Sequence, residues 1–176
     1  MKPPVLIKDS WLFCPLCGEG GVPGNHPFRC DACGHCHYFS PCTAVGALIA
    51  DGAGRMLFIV RGKEPGKDKL GLPGGFVDAG ESAEQALVRE IREELNLNVT
   101  HFSYLASFPN TYKFGGVVVP VTDLFFISEV ATLDEIVPQA GEVSGWKFLD
   151  AASVTCDTLA FDTHQQALQA FLARRS

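Results

Sequence analysis

The chain has no long apolar run. Nowhere among its 176 residues does a segment approach the roughly 18 apolar residues of a membrane-spanning helix, so no membrane partner is expected. Its first residues, Met1-Lys2-Pro3-Pro4-Val5-Leu6-Ile7, lack the apolar stretch and cleavage site of a signal peptide. A cytoplasmic location is the expectation that follows. Basic charge is in short supply, 14 Lys and Arg against 20 Asp and Glu, for a net charge of -6. Binding to the phosphate backbone of a nucleic acid needs a basic surface, so nucleic acid is not an expected partner. Internal repeats and low-complexity stretches are missing too. Apolar material is ample, at 47% hydrophobic residues with 13 Phe, and the length suits one domain or one domain plus a small appendage.

Cysteine is plentiful, with seven in the chain. In a reducing compartment these thiols stay reduced or bind metal. Cys14-Pro15-Leu16-Cys17-Gly18 and Cys30-Asp31-Ala32-Cys33-Gly34 are two C-x-x-C-G knuckles, with twelve residues between Cys17 and Cys30. Each presents two thiolates at a tight turn, and four such sulfurs make a closed tetrahedral Zn²⁺ site. The pattern resembles a zinc ribbon. A closed site has no open position for chemistry, so the zinc reads as structural, stapling about 40 residues too few to fold well alone. A disulfide pair and a redox C-x-x-C are the alternatives. Cys36, Cys42, His35 and His37 crowd the second knuckle as rival ligands. Cys156 is expected to be a buried or partly exposed free thiol.

From residue 83 to 95 there is neither proline nor glycine, which predicts a helix. Ser82 suits its N-cap, and Gln85 can reach back to complete a capping box. Leu87, Ile91 and Leu95 recur every fourth residue, and Val88 is expected to widen that stripe toward the core. Glu90, Glu93 and Glu94 sit at i, i+3 and i+4 on another face. Like charges at this spacing cost a helix a few tenths of a kcal/mol per pair. Arg89 relieves part of the repulsion, and a hard cation such as Mg²⁺ relieves it better. Spacing alone also admits a solvated acidic face. Asn96 falls where a helix end needs a left-handed residue, which Asn tolerates next best after Gly. Before the helix, Leu72-Pro73-Gly74-Gly75-Phe76 offers two glycines where backbone can approach a ligand.

Strands are expected over 43–50, 55–61, 99–108, 117–128 and 146–149, with a 51–54 turn, a polar 62–68 loop and a 109–116 loop. Residues 38–41 read as a linker. Asp162 is a candidate cap for a last helix, with Gln165 three residues on and Leu168, Phe171 and Leu172 facing inward. Strands interleaved with two helices, one on each side, imply an α+β protein with a mixed sheet in an α/β/α sandwich.

Gly75, Glu81 and the run Arg89-Glu90-Ile91-Arg92-Glu93-Glu94 followed by Leu97 resemble the Nudix box, G-x5-E-x7-R-E-U-x-E-E-x-G-U, departing from it only at Asn96. The resemblance implies the Nudix fold over 41–176, after a zinc ribbon over 1–40. It implies divalent-metal-dependent hydrolysis of a nucleoside diphosphate linked to another group. Glu90, Glu93 and Glu94 would ligate Mg²⁺ or Mn²⁺, with the Gly75 carbonyl as an addition. Arg89 would orient Glu90 and Glu81, and the general base would be Glu90 or the loop carboxylate Glu142. Arg61 is a candidate phosphate contact, although an ordinary surface arginine is the simpler reading. Phe108, Tyr112 and Phe114 are candidates to stack a base or flavin, with Phe114 favoured as a core residue. Ribbon followed by Nudix box resembles the NADH pyrophosphatases, and the 38–45 stretch resembles their junction. Of their S-Q-P-W-P-F-P signature, Ser107 and Pro109 agree. Similar ribbon-bearing hydrolases act on FAD and ADP-ribose, so the expected substrate is a small-molecule nucleotide, an adenine dinucleotide or ADP-ribose. A nucleoside triphosphate sanitising pyrophosphatase and a non-catalytic nucleotide sensor are the competing readings. Nudix enzymes are often homodimers.

Overall fold

A computed structural model describes residues 3–175. The chain forms two compact units, Met1–Cys42 with Thr111–Val121, and Thr43–Asn110 with Thr122–Ser176. In chain order the strands are β1 (Val5–Leu6), β2 (Phe28–Arg29), β3 (Cys36–His37), β4 (Cys42–Ile49), β5 (Met56–Arg61), β6 (Leu70–Gly71), β7 (Val99–Phe114), β8 (Val117–Val130) and β9 (Val143–Leu149). Helix α1 (Ala83–Leu95) lies between β6 and β7, and α2 (Asp162–Arg175) closes the chain. No helix among the described residues is long and apolar enough to cross a membrane.

In the first unit β1 runs parallel to the start of β8, Val5 opposite Val117. β2 and β3 make a short antiparallel pair over the second knuckle. The core here is small: Cys14, Phe28 and Cys30 are buried, with Trp11 and Phe39 packed against them. Trp11 stacks on His37 at 4.4 Å and meets Phe39 edge-on at 4.9 Å.

The second unit is built by alternation along its strands. Val45, Ala47 and Ile49 of β4, Leu57 and Ile59 of β5 and Phe126 of β8 pack with Ala86, Leu87, Ile91 and Leu95 of α1. The intervening Leu48, Met56, Phe58 and Phe125 pack with Ala167, Leu168 and Phe171 of α2. Period-two strands thus bury both faces and carry a helix on each, the expected α/β/α sandwich. At roughly 1.5–3 kcal/mol per fully buried large side chain, either core far outweighs the few tenths of a kcal/mol at stake per like-charged pair on α1. In the antiparallel sheet of β6, β5 and β9, Ile59 pairs with both Gly71 and Trp146.

Several expectations are corrected. The 109–116 loop is strand as far as Phe114, turning only at Gly115 and Gly116, with φ of 57° and 83°. A two-residue turn with positive φ at both positions matches the twist of a hairpin, and β7, paired only with β8, tolerates Pro109 as an edge strand does. Phe114 lies beside that turn and is 74% exposed, not core. Val88 is 39% exposed, and the buried stripe of α1 uses Ala86 instead. Leu172 is 36% exposed, while Leu168 and Phe171 are buried with Ala167 and His164. Asp162 lies inside the first turn of α2 rather than capping it. Cys156 is exposed. β9 begins at Val143, where its pairing with Arg61 crosses an irregularity that Ser144-Gly145 does not advertise.

Candidate active site and metal centre

Helix α1 begins as its sequence predicts. The Ser82 hydroxyl accepts from the Gln85 N–H at 3.3 Å, and Gln85 Oε1 accepts from the Ser82 N–H at 2.8 Å. It ends at Asn96, with φ 59° and ψ 22° in the left-handed region and its N–H on the Arg92 carbonyl. The helix is therefore fixed at both ends before its acidic face does anything.

The glycine loop reaches that face through main-chain bonds to β4. The Ala47 N–H donates to the Pro73 carbonyl at 2.8 Å, Val45 N–H to Gly75 at 2.8 Å, and Val77 N–H to Thr43 at 2.9 Å. Gly74 has φ +140°, and a Cβ there would stand 2.1 Å from the Val45 carbonyl oxygen. A Cβ on Gly75 would stand 2.5 Å from the Glu90 carboxyl carbon. Both glycines are required by close approach: one to the strand, the other to a carboxylate. The Gly74 N–H donates to Glu94 Oε2 at 2.9 Å.

Arg89 collects the remaining acids. Its Nε and Nη2 donate to both oxygens of Glu81, at 2.7 and 2.9 Å. Its Nη1 donates to Glu90 at 2.8 Å and Glu93 at 3.0 Å, and Nη2 also reaches the Phe76 carbonyl at 3.0 Å. One planar fork thus ties the loop, Glu81 and two of the three helix acids together. Arg89 holds Glu81 below the usual carboxylate range. Burial pushes Glu90 up against the pull of Arg89. Burial also pushes Glu94 up to about 8, more than the Gly74 N–H and Arg61 offset, and the charges of Glu90 and Glu142 add to it. Burial that opposes ionisation of Glu90 and Glu94 is what a divalent cation would offset. The donor set fits such an ion: three carboxylate groups, and a Gly75 carbonyl with a lone pair left beyond its bond to Val45.

Glu142 belongs to a loop hung on the end of α1. The Val137 and Gln139 N–H groups donate to the Leu95 and Glu94 carbonyls at 3.0 and 2.9 Å, satisfying acceptors that a helix end leaves open. The Glu142 carbonyl accepts from Gly62 at 2.7 Å, and its carboxylate pairs with Lys63. Arg61 lies over the Phe161 ring at 5.1 Å and donates to the Pro65 carbonyl at 2.8 Å. Phe108 packs 6.1 Å from Phe125 against the α2-side core, and is placed with the second unit, whereas Tyr112 falls in the first.

Sequence reasoning passed over a buried polar set around the start of α2. Asp123 Oδ2 accepts from the Thr163 hydroxyl at 2.6 Å and from Asn110 at 2.7 Å. His164 Nδ1 accepts from the Leu72 N–H at 3.1 Å, holding the start of the glycine loop. Burial pushes His164 down to about 3, and Arg61 adds to the effect, so it remains neutral. No spacing rule links positions so far apart in the chain; the alternation that buries Asp123 beside Phe125 was the only signal on offer.

In the first unit the sulfurs of Cys14, Cys17, Cys30 and Cys33 all lie within 4.8 Å of one another. Cys14 and Cys33 are 3.7 Å apart, Cys17 and Cys30 3.6 Å. Tetrahedral Zn–S bonds of about 2.3 Å place sulfurs about 3.8 Å apart, so the cluster fits zinc. Gly18 (φ +78°) and Gly34 (φ +75°) close the two knuckles in the same way, their N–H groups on the Cys14 and Cys30 carbonyls at 2.9 Å. Burial raises Cys14, but N–H groups of Cys17 and Leu16 outweigh it and hold it at about 7. The Glu19 N–H lowers Cys17, yet neighbouring thiols and burial push it up to about 12. The Cys14 thiolate is thus favoured and that of Cys17 opposed, and a bound cation would favour both. His35, Cys36, His37 and Cys42 lie outside this cluster.

Comparison with known proteins places this geometry. Residues 40–172 match the model of the NUDIX domain. Over 172 residues the chain is 30% identical to an NAD-capped RNA hydrolase, NudC, of Pseudomonas aeruginosa, covering 93% of this chain and 56% of that protein. Over 60 residues it is 45% identical to an ADP-ribose pyrophosphatase of Methanocaldococcus jannaschii, covering 34% of this chain and 35% of that one. The crystal structure of a NUDIX hydrolase from Nitrosomonas europaea superposes with a TM-score of 0.71 at 24% identity, over 93% of this chain and 91% of that one. The chain spans about half the length of the NudC relatives it matches. With its box helix, glycine loop and two-faced sandwich in place, this chain belongs to the Nudix family.

Proposed function

We propose that the chain is a divalent-metal-dependent pyrophosphohydrolase. Its substrate is a nucleoside diphosphate derivative, ADP-ribose or an adenine dinucleotide such as NADH, NAD or FAD, and it releases a nucleoside monophosphate. The observation that carries this is the seating of Glu94 and Glu90 against the Gly74–Gly75 loop, with Arg89 bonded to Glu90 and Glu93. Relatives named for NAD-capped RNA hydrolysis and ADP-ribose hydrolysis support the substrate class.

Glu90, Glu93 and Glu94, with the Gly75 carbonyl, would hold Mg²⁺ or Mn²⁺. The bound ion supplies acidity to a water and neutralises charge on the phosphates. Arg89 fixes the carboxylates at their working angles, as groups behind metal ligands do. Water oxygen bonds to one phosphorus, the bridging P–O bond breaks, and Glu142 takes the water's proton. Residues 41–176 carry this chemistry, and residues 1–40 form a ribbon held by structural Zn²⁺ on Cys14, Cys17, Cys30 and Cys33.

The test is product release from NADH, NAD, FAD, ADP-ribose, dGTP and an NAD-capped RNA, with and without Mg²⁺. Metal-dependent AMP from a dinucleotide or ADP-ribose, lost in Glu93→Gln/Glu94→Gln, is expected. Pyrophosphate from dGTP would make the chain a triphosphate sanitiser instead. Tight binding without turnover would make it a sensor.

A further inference from the structure

We infer that Lys63 is the diphosphate-binding cation of this site, held at rest by Glu142 and handed to the substrate when a nucleoside diphosphate enters. The inference rests on the pyrophosphohydrolase reading above.

Two arginines near the acids are already committed. Arg89 spends its fork on Glu81, Glu90, Glu93 and the Phe76 carbonyl. Arg61 is fixed over Phe161 and by the Pro65 carbonyl. Lys63 differs from these. Among the described residues its ammonium pairs with the Glu142 carboxylate, and both side chains are substantially exposed, at 49% and 38%. Exposed pairs of this kind are weak and exchange readily. The Gln139 N–H donates to the Glu94 carbonyl at 2.9 Å and the Glu142 N–H to the Gln139 carbonyl at 3.3 Å, so the Lys63–Glu142 pair hangs from the end of α1 that carries the acids.

The backbone beneath Lys63 is fixed even though its side chain is not. The Gly62 N–H donates to the Glu142 carbonyl, and a Cβ on Gly62 would stand 3.1 Å from that oxygen. A flexible four-carbon stem on a pinned base can swing a point charge from one anion to another. A diphosphate offers more negative charge and more acceptor oxygens than one carboxylate, so the exchange favours substrate. The same movement strips Glu142 of its counter-ion when a base is required, and leaves the pair closed otherwise.

The test uses the full chain with Mg²⁺ and α,β-methylene-ADP, which cannot be hydrolysed at its bridging carbon. Calorimetry on Lys63→Met should show binding weakened about tenfold, the loss of one charge-assisted bond, with Lys63→Arg restoring most of it. A crystal structure of the wild-type complex should show the Lys63 ammonium on a phosphate oxygen and the Glu142 carboxylate released. Unchanged affinity in Lys63→Met, or a Lys63–Glu142 pair intact in the complex, overturns the inference while wild-type hydrolysis of ADP-ribose or FAD keeps the parent reading. A wild-type protein that neither binds the analogue nor hydrolyses either substrate overturns both.

Discussion

The cysteine cluster and the glutamate cluster solve opposite problems. Four sulfurs lie within 4.8 Å of one another, two pairs of them at 3.6 and 3.7 Å, in a unit whose buried apolar core is little more than Phe28 and two of the cysteines themselves. There the proposed metal ligands are the core. Three glutamates sit on a helix whose other face is already buried against β4, β5 and β8, and Arg89 and Gly74 hold them in place. There the proposed ligands are attached to a core that is complete without them. A site that the fold depends on must close around its ion; a site that the fold merely carries can keep a position open for chemistry.

Stripping the ions separates the two most sharply. A strong chelator should unfold the ribbon outright, seen as loss of Trp11 fluorescence structure and rapid proteolysis before residue 42, while the second unit keeps its melting transition. Should the ribbon survive chelation with its cysteines blocked, the structural-zinc reading is wrong. Next in size, Glu93→Gln/Glu94→Gln should cut hydrolysis by more than about a hundredfold, beyond what loss of a supporting group does, with the melting temperature nearly unchanged, because Glu94, at about 8, is already mostly neutral near pH 7 and Glu93 is half exposed. A melting temperature that collapsed would place the glutamates in the fold after all. Gly74→Ala attacks the attachment itself: with φ +140° and a 2.1 Å approach to the Val45 oxygen, it should cost about 3 kcal/mol or more in denaturant unfolding. Arg89→Lys keeps the charge but loses the fork, and should weaken Mg²⁺ affinity by roughly 10–100-fold in a calorimetric titration.

A pH-graded effect lies on the other face of the second unit. His164 has its folded pKa depressed to about 3 from an unfolded value near 6.5. Between those values the unfolded chain binds a proton that the native chain refuses, so stability falls as pH drops through 6.5 and continues to fall toward 3. The slope due to this residue is about 1.4 kcal/mol per pH unit. His164→Gln, which retains an acceptor for Leu72, should flatten the acid limb of the denaturation profile by that amount.

What could be read in advance was whatever sits within one or two helical turns of itself. Ser82 and Gln85, the Asn96 cap, the acidic stripe and the cysteine knuckles are local patterns, and local geometry follows from local spacing. What escaped was set by partners distant in sequence. Lys63 and Glu142 are 79 residues apart, and Leu72 and His164 are 92; each pair meets only because β5, β9 and α2 pack as they do. The hairpin was misjudged for another reason. Pro109 and Asn110 look like loop residues, yet an edge strand has room for the first, and Asp123 gives the second a buried partner. Phe114 was assigned to a core because a phenylalanine usually earns one, but its place beside the Gly115–Gly116 turn leaves it in solvent.

The stitching between β4 and the glycine loop uses only peptide groups: Ala47 to Pro73, Val45 to Gly75, Val77 to Thr43. No side chain of β4 carries the coordinates of the active site. Residues on both faces of that strand can therefore drift over evolutionary time, repacking each helix layer independently, while the glutamates stay where they are. Descendants of such a scaffold can lose most of their resemblance in the cores long before they lose the reaction, and new substrates can be explored from the loops without renegotiating the strand that aims them.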